Sequence, residues 1–275
     1  MFIRSVTLSR KAVRLDTSSC TGSYTYRMEL QYDGTGLSGW AKQPGCHTVE
    51  GSLEKAFAIV LGQIPVLQVA GRTDAGVHAR KQVVSLRLPA ELAEGAAQHR
   101  FISSLNALTP SGITITKLSV VADDFDARYN ACSRCYRYHI SEAAYCSPFW
   151  RNYCWWLPGS SKGLNFTAMQ EVAGLVEGWH DFTAFTTTAS KHQNFYRHVM
   201  QCEWSKDSEG LLTLHIEANS FLRHMVRVLV GTIVEVGQGK RTVDGFAQLL
   251  QGAPREMAGR SAPAKGLFLW EVRYP

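Results

Sequence analysis

No apolar run in the 275-residue chain approaches the roughly 20 residues that a membrane-spanning helix requires, so no membrane partner is expected. Cysteine is sparse and scattered: seven, an odd number, at positions 20, 46, 132, 135, 146, 154 and 202. That excludes a small disulfide framework and points to a reducing compartment. The one close pair, Cys132 and Cys135, has no second ligand pair at zinc-site spacing, so no metal is expected. Low-complexity tracts and long linkers are missing as well. Acids are in deficit, 23 against 29 Lys and Arg, which gives a net charge of +6 and a pI near 9.0. Such a surplus favours a polyanionic partner, nucleic acid first.

What is present repeats. "YTYRMELQYDG" alternates as a half-buried strand, with Tyr24, Tyr26, Met28, Leu30 and Tyr32 on one side. "TVEGSLEKAFAIVLG" puts Leu53, Phe57, Val60 and Leu61 on one helical stripe behind Thr48, a fitting N-cap. The strands "VLQVA" and "QVVSLRL" follow, then a helix from about Leu92 to Leu108 and a strand at "ITITKLSVV". The second half has the same order. It runs through strand "CYRYHI", a helix bearing Met169, Val172 and Val176, and strands "VMQCEW" and "LLTLHIEA". A helix from about Phe221 to Val236, a short helix and the strand "GLFLWEV" complete it. Two β-α-β-β-α-β units, residues 24–125 and 126–275, imply two split-βαβ halves with helices packed on one side. Their sheets can join edge to edge and leave a cleft between the halves.

Three segments stand out chemically. "AGRTDAGVHAR" places one carboxylate, Asp74, between Arg72 and Arg80 in a turn flanked by Gly71 and Gly76. An Asp in such a turn commonly hydrogen-bonds its own backbone. Arg227, in "NSFLRHMVRVLVG", falls among apolar positions and needs an acid, with Asp74 a candidate, whereas Arg223 and His224 should reach water at the helix's first turn. "SRCYRYH" and "SPFWRNYCWW" interleave aromatic and basic residues. Tyr136 and Tyr138 with Arg134 and Arg137 either cover a core or stack bases and hold phosphates.

Taken in order, "QYDGTGLSGWAKQP", "GRTDAGVHA", "DARYNACSRCYRYHI", "SPFWRNYCWW", "NSFLRHMVRVLVG" and "KGLFLWEVRYP" resemble the tRNA pseudouridine synthases of the TruA type, over residues 24–275. The resemblance implies an α+β fold of two ferredoxin-like halves in one continuous, mainly antiparallel sheet, with helices on one side and a cleft between the halves. It implies that Asp74 is the catalytic aspartate and that Arg72 helps to extrude the target uridine. Tyr136 would stack on the flipped base, Arg227 would pair with Asp74, and Leu267 would line the pocket. The implied enzyme is a homodimer acting on the anticodon stem-loop of tRNA, with no cofactor and no catalytic metal. Departures fall at Leu37, where an aromatic is common, at Asp126, where histidine often stands, and in the loop 186–198.

Two other readings compete. A non-catalytic RNA-binding module on ferredoxin-like sheets would need no Asp74. A zinc deaminase would need a His-x-Glu ahead of a Pro-Cys-x-x-Cys; none precedes the Cys132 and Cys135 pair, and residue 131 is not Pro. Residues 1–23 form a basic arm, with Arg4, Arg10, Lys11 and Arg14 against Asp16 and many Ser and Thr. That composition suits a transit peptide and a disordered RNA-binding arm alike. The expected location is the cytoplasm or, if the arm is a transit peptide, a mitochondrion or other organelle.

Overall fold

The computed structural model describes residues 22–158, 163–187 and 194–275. Nearly all of the basic arm and the middle of the 186–198 loop lie outside those residues. The first half contains β1 (Ser23–Tyr32), α1 (Val49–Leu61), β2 (Gln68–Val69), β3 (His78–Pro89), α2 (Gly95–Leu108) and β4 (Ile113–Val120). The second contains β5 (Ser133–Ser141), β6 (Trp155–Trp156), α3 (Phe166–Val176), β7 (Gly178–Asp181), β8 (Tyr196–Lys206), β9 (Leu211–Ala218), α4 (Met225–Gly237), α5 (Val243–Ala247) and β10 (Leu267–Arg273).

One sheet runs β4-β1-β3-β10-β5-β9-β8-β7, with β2 and β6 attached off that path to β3 and β5. In the first half β2 pairs the far side of β3, giving a fourth-first-third-second order of strands. β10-β5-β9-β8 repeats that order in the second half. The pairs are antiparallel except β5 with β6 and the junction of the halves, where β10 runs parallel to β3. There Phe268 lies opposite His78 and Leu269 opposite Ala79. The fold is the expected mixed α+β arrangement on a large, mostly antiparallel sheet.

Alternation builds one buried face. Tyr26, Met28 and Leu30 of β1, Tyr138 and Ile140 of β5, and Leu214 and Ile216 of β9 are fully buried beneath the helices. The opposite face carries paired charges: Arg27 with Glu29 (2.9 Å), Lys81 with Glu271 (3.2 Å), and Arg273 with Glu217 (2.8 Å). Thr48 caps α1 by accepting from the Gly51 N–H (3.2 Å), as its position suggested. α2 starts at Gly95, after a single 3₁₀ turn at 90–92.

Two features differ from the sequence reading, and a third was not addressed by it. β6 and β7 are added strands too short to show alternation. α4 begins at Met225 rather than near Phe221, because His224 has φ 64°, a left-handed conformation that no right-handed helix contains. Finally, α4 needs Gly231: a Cβ there would sit 1.8 Å from the Arg260 carbonyl oxygen, so the chain leading to β10 lies directly on the helix.

Buried imidazoles close the junction. His78 Nδ1 accepts from the Gly34 N–H (2.9 Å) and Nε2 donates to the Lys265 carbonyl (3.2 Å). Its ring stacks on Phe268 at 4.5 Å, and burial holds its pKa below the ordinary value despite the Asp33 carboxylate beside it. Burial, with help from Arg137, pushes His139 down to about 4. The unfolded chain therefore binds these protons more readily than the native one does. Stability should be full above the unfolded pKa of about 6.5 and decline as pH falls toward about 4, with His139 contributing up to about 3 kcal/mol. Urea unfolding at a series of pH values from 7 to 4.5 should show this fall, and His139→Gln should flatten it. An equal slope in that variant would place the acid sensitivity elsewhere.

Candidate active site

The turn between β2 and β3 carries Asp74, and its backbone is fixed from several directions. Gln82 Nε2, fully buried, donates to the Gly71 carbonyl (2.8 Å) and to the Tyr32 hydroxyl (3.1 Å). The Tyr32 hydroxyl shares a hydrogen bond with Thr73 Oγ1 (2.8 Å). Burial raises that phenol to about 12, so it stays neutral and serves only as a hydrogen-bonding post. The "GLSGW" segment supplies the other wall. The Trp40 N–H donates to the Thr73 carbonyl (3.0 Å), and the Gly76 N–H to the Leu37 carbonyl (3.1 Å). Gly39, at φ 87°, lies so close that a Cβ would stand 2.7 Å from the Thr73 carbonyl oxygen. The turn is a rigid mount.

Onto it the second half projects an arginine and a histidine. Arg227 Nη1 lies 3.5 Å from Asp74 Oδ2, while its Nε donates to the Ala262 carbonyl (2.8 Å). His224 Nε2 lies 3.4 Å from Asp74 Oδ1. Burial alone would raise the carboxyl's pKa. Hydrogen bonding and charge from His224, then from Arg227, outweigh burial and hold Asp74 below the usual carboxylate range. The pair is only partly shielded, with side-chain exposures of 18% for Arg227 and 26% for Asp74. The apolar neighbours of Arg227 imply a buried side chain, and the structure leaves it partly exposed.

His224 was not foreseen. The sequence reading sent it to water from a helical first turn, but its left-handed backbone turns the ring to Asp74. The signal available was its spacing, three residues before Arg227.

Tyr136 lies on β5, 9% exposed, opposite Ile216 and Leu269 and edge-on to Phe221 at 5.1 Å. Burial and the nearby Tyr32 and Asp74 push its phenol well up, so it too stays neutral. Leu267, 5% exposed, opens β10 opposite Tyr138. Arg72 is exposed and forms no hydrogen bond or ion pair among the described residues.

Other aromatic and basic residues have structural work. Tyr138 is fully buried and donates to the Pro263 carbonyl (2.8 Å). Arg134 bonds backbone carbonyls, including those of Ala70 (3.1 Å) and Asn219 (2.9 Å). Arg137 lies 3.8 Å over the Trp270 ring on the face away from the helices. Two adjoining cavities on that face, of about 230 and 330 Å³, share Gln31, Arg80 and Trp270, and neither is lined by Asp74.

Among the described residues, Cys135, His215 and Glu217 have ligand atoms within 4.8 Å of one another. Glu217 is already engaged by Arg273 (2.8 Å) and Ser133 (2.5 Å), and burial together with Glu217 raises the Cys135 thiol to about 12. A divalent ion would have to displace an arginine and strip a reluctant thiol, so these residues fit a metal poorly.

Comparison with known proteins gives a consistent result. The family described as tRNA pseudouridine synthase matches residues 172–275. The chain is 37% identical over 248 residues to the tRNA pseudouridine synthase A of Bacillus pumilus, covering 89% of this chain and 97% of that protein. It is 39% identical over 254 residues to the namesake from Chlorobaculum tepidum, covering 91% and 98%. The Bacillus subtilis protein of that name is 36% identical over 248 residues, covering 89% and 97%. With that likeness spanning both halves, this chain belongs to the tRNA pseudouridine synthase A family, whose members are isomerases converting uridine to pseudouridine.

Proposed function

We propose that the enzyme isomerises uridines in the anticodon stem-loop of tRNA, using Asp74 as its single catalytic carboxylate and working as a homodimer without cofactor or metal. The observation that carries the reading is an acid held below the usual carboxylate range by Arg227 and His224 of the opposite half, on a turn whose backbone cannot drift. A module that only bound RNA would have no use for such an acid.

The reaction breaks the N1–C1′ bond, rotates the uracil and joins C5 to C1′, after which the hydrogen on C5 leaves. No electron or group donor enters, so one placed carboxylate suffices. Asp74 can attack C1′ or C6 as a nucleophile, or take the C2′ proton as a base. In this reading Arg72, exposed beside the turn, enters the RNA as the uridine leaves its stack. Tyr136 receives the base and Leu267 lines the pocket. Unstacking costs a few kcal/mol, and stacking on one aromatic ring returns about 1–3 kcal/mol.

Substrate and product have equal mass, so the departing hydrogen is the measurable event. With tRNA tritiated at uridine C5, label should pass to water, and sequencing should confine the change to one or a few anticodon stem-loop positions. Release mapping only to other regions of tRNA would overturn the assigned site. No release from any tRNA would overturn the proposed reaction here.

A further inference from the structure

The chain between the halves turns tightly at residues 126–130, and that turn is heavily tied. Asp126 Oδ1 accepts from the N–H groups of Arg128 (2.7 Å) and Tyr129 (2.9 Å). Asn130 Oδ1 accepts from the Asp126 N–H (2.6 Å), and the Asn130 N–H donates to the Asp126 carbonyl (3.0 Å). Ala127, fully buried, donates to Ser85 Oγ of β3 (3.0 Å) and accepts from the Tyr274 hydroxyl (2.7 Å).

Arg134 fastens the same turn to the active site. Its Nη2 donates to the carbonyls of both Arg128 and Ala70, so those two carbonyls lie side by side. Its Nη1 donates to the carbonyls of Ala131 and Asn219. Ala70 opens the Asp74 turn, and Asn219 opens the segment that leads to His224. Residues 126–130 are thus locked to both strands of chain that build the site, through Ala70, two residues before the exposed Arg72, and Asn219.

Outward, this turn presents Tyr129, which is 79% exposed, with the Arg128 guanidinium 5.5 Å from its ring centroid. Arg128 is itself exposed. A ring held that far into water contributes little to the core. Ring and cation together match what an unpaired nucleotide offers, a π-face and a phosphate. Because the turn is already ordered, binding there loses little conformational freedom.

We propose that Arg128 and Tyr129 form a nucleotide platform beside the catalytic turn: Tyr129 stacks on an unpaired base neighbouring the target uridine, and Arg128 neutralises its phosphate. Arg134 is the positioning residue that sets the platform against Asp74. This rests on the tRNA-modifying function proposed above and adds the residues that hold the flanking nucleotide.

The test is tritium release from full-length tRNA together with filter-binding Kd. Loss of one stacked base should raise KM and Kd of Tyr129→Ala about tenfold, with the loss falling on KM rather than kcat. Tyr129→Phe keeps the π-face and should restore most of the affinity. Arg128→Gln should reduce the slope of log affinity against log salt by about 0.7–0.9, the value of one phosphate contact. Unfolding midpoints should stay at the wild-type value, since both side chains are exposed. A wild-type KM and Kd in Tyr129→Ala would overturn the platform, as would a Tyr129→Phe variant impaired as badly as alanine. Failure of the function itself would show differently, as a wild-type enzyme that releases no label, and the Kd comparison still judges the platform in that case.

Discussion

Asp74→Asn is expected to reduce release of the uridine C5 hydrogen to background, a loss of at least about 1,000-fold. The amide keeps the shape but has one acceptor oxygen, so it can accept from Arg227 or from His224 and not from both, and it neither attacks as a carboxylate nor takes up a proton. The turn is held by Gln82, Tyr32, Trp40 and Leu37, none of which uses the Asp74 side chain, so the mount should survive. The variant loses the favourable charge interaction with the partly exposed Arg227, a cost of about 1 kcal/mol. It should still bind tRNA, because Arg72, Tyr136 and the basic surface remain. Release at the wild-type rate would remove Asp74 from the chemistry, whatever the reaction proves to be.

The second large effect is expected at Arg227. Truncation to alanine removes both the Nη1 contact to Asp74 and the Nε bond to the Ala262 carbonyl. For a fully desolvated pair, loss of one partner costs about 3–5 kcal/mol, but these side chains keep some contact with water. With His224 still present, stability should fall by about 1–2 kcal/mol. Turnover should fall more, about 100-fold, since the carboxylate loses orientation as well as charge support. A further mark identifies the role. Without the arginine, Asp74 becomes harder to ionise, so the acid limb of the pH–rate profile should move to higher pH. Arg227→Lys restores the charge without the two-point attachment and should recover only part of the rate. An unmoved acid limb and wild-type turnover in the alanine variant would take Arg227 out of the site.

Much of this architecture is legible in the sequence, for physical reasons. Tyr26, Met28 and Leu30 recur with period two because one face of β1 is covered and the other is not. The same signal in β5, β8 and β9 reveals the repeat. It fades in β6 and β7, whose two and four residues are too few to alternate. The start of α4 was misplaced because one left-handed residue, His224, interrupts an otherwise helical pattern, and composition does not report φ. His224 escaped notice for that same reason.

The arginines teach a related lesson. Arg227 amid apolar neighbours correctly signalled the need for an acid partner. Arg134 looked like a phosphate binder, yet it satisfies its donors on four backbone carbonyls. Pattern reveals that a charge must be paired; it does not reveal that the partners are carbonyl dipoles from distant turns. Tyr136 and Tyr138 share a face and an alternation, but only the latter is capped by the Pro263 carbonyl. Neighbours from other elements separate them, and no local window contains those neighbours.

The parallel junction of β3 and β10 has a consequence for the order of events in folding. Asp74 and Arg227 are 153 residues apart in the chain, and His78 meets Phe268 only through β10, the last strand of the sheet. Each half can close its own short-range antiparallel pairs before these distant contacts form, since long loops are entropically costly to close. The Asp74–Arg227 pair is therefore expected to form late. A chain with both halves folded but undocked would be nearly native in secondary structure and chemically silent, its aspartate an ordinary surface acid. On the function proposed above, catalytic competence depends on the docking of the two halves, since Asp74 comes from one and Arg227 and His224 from the other.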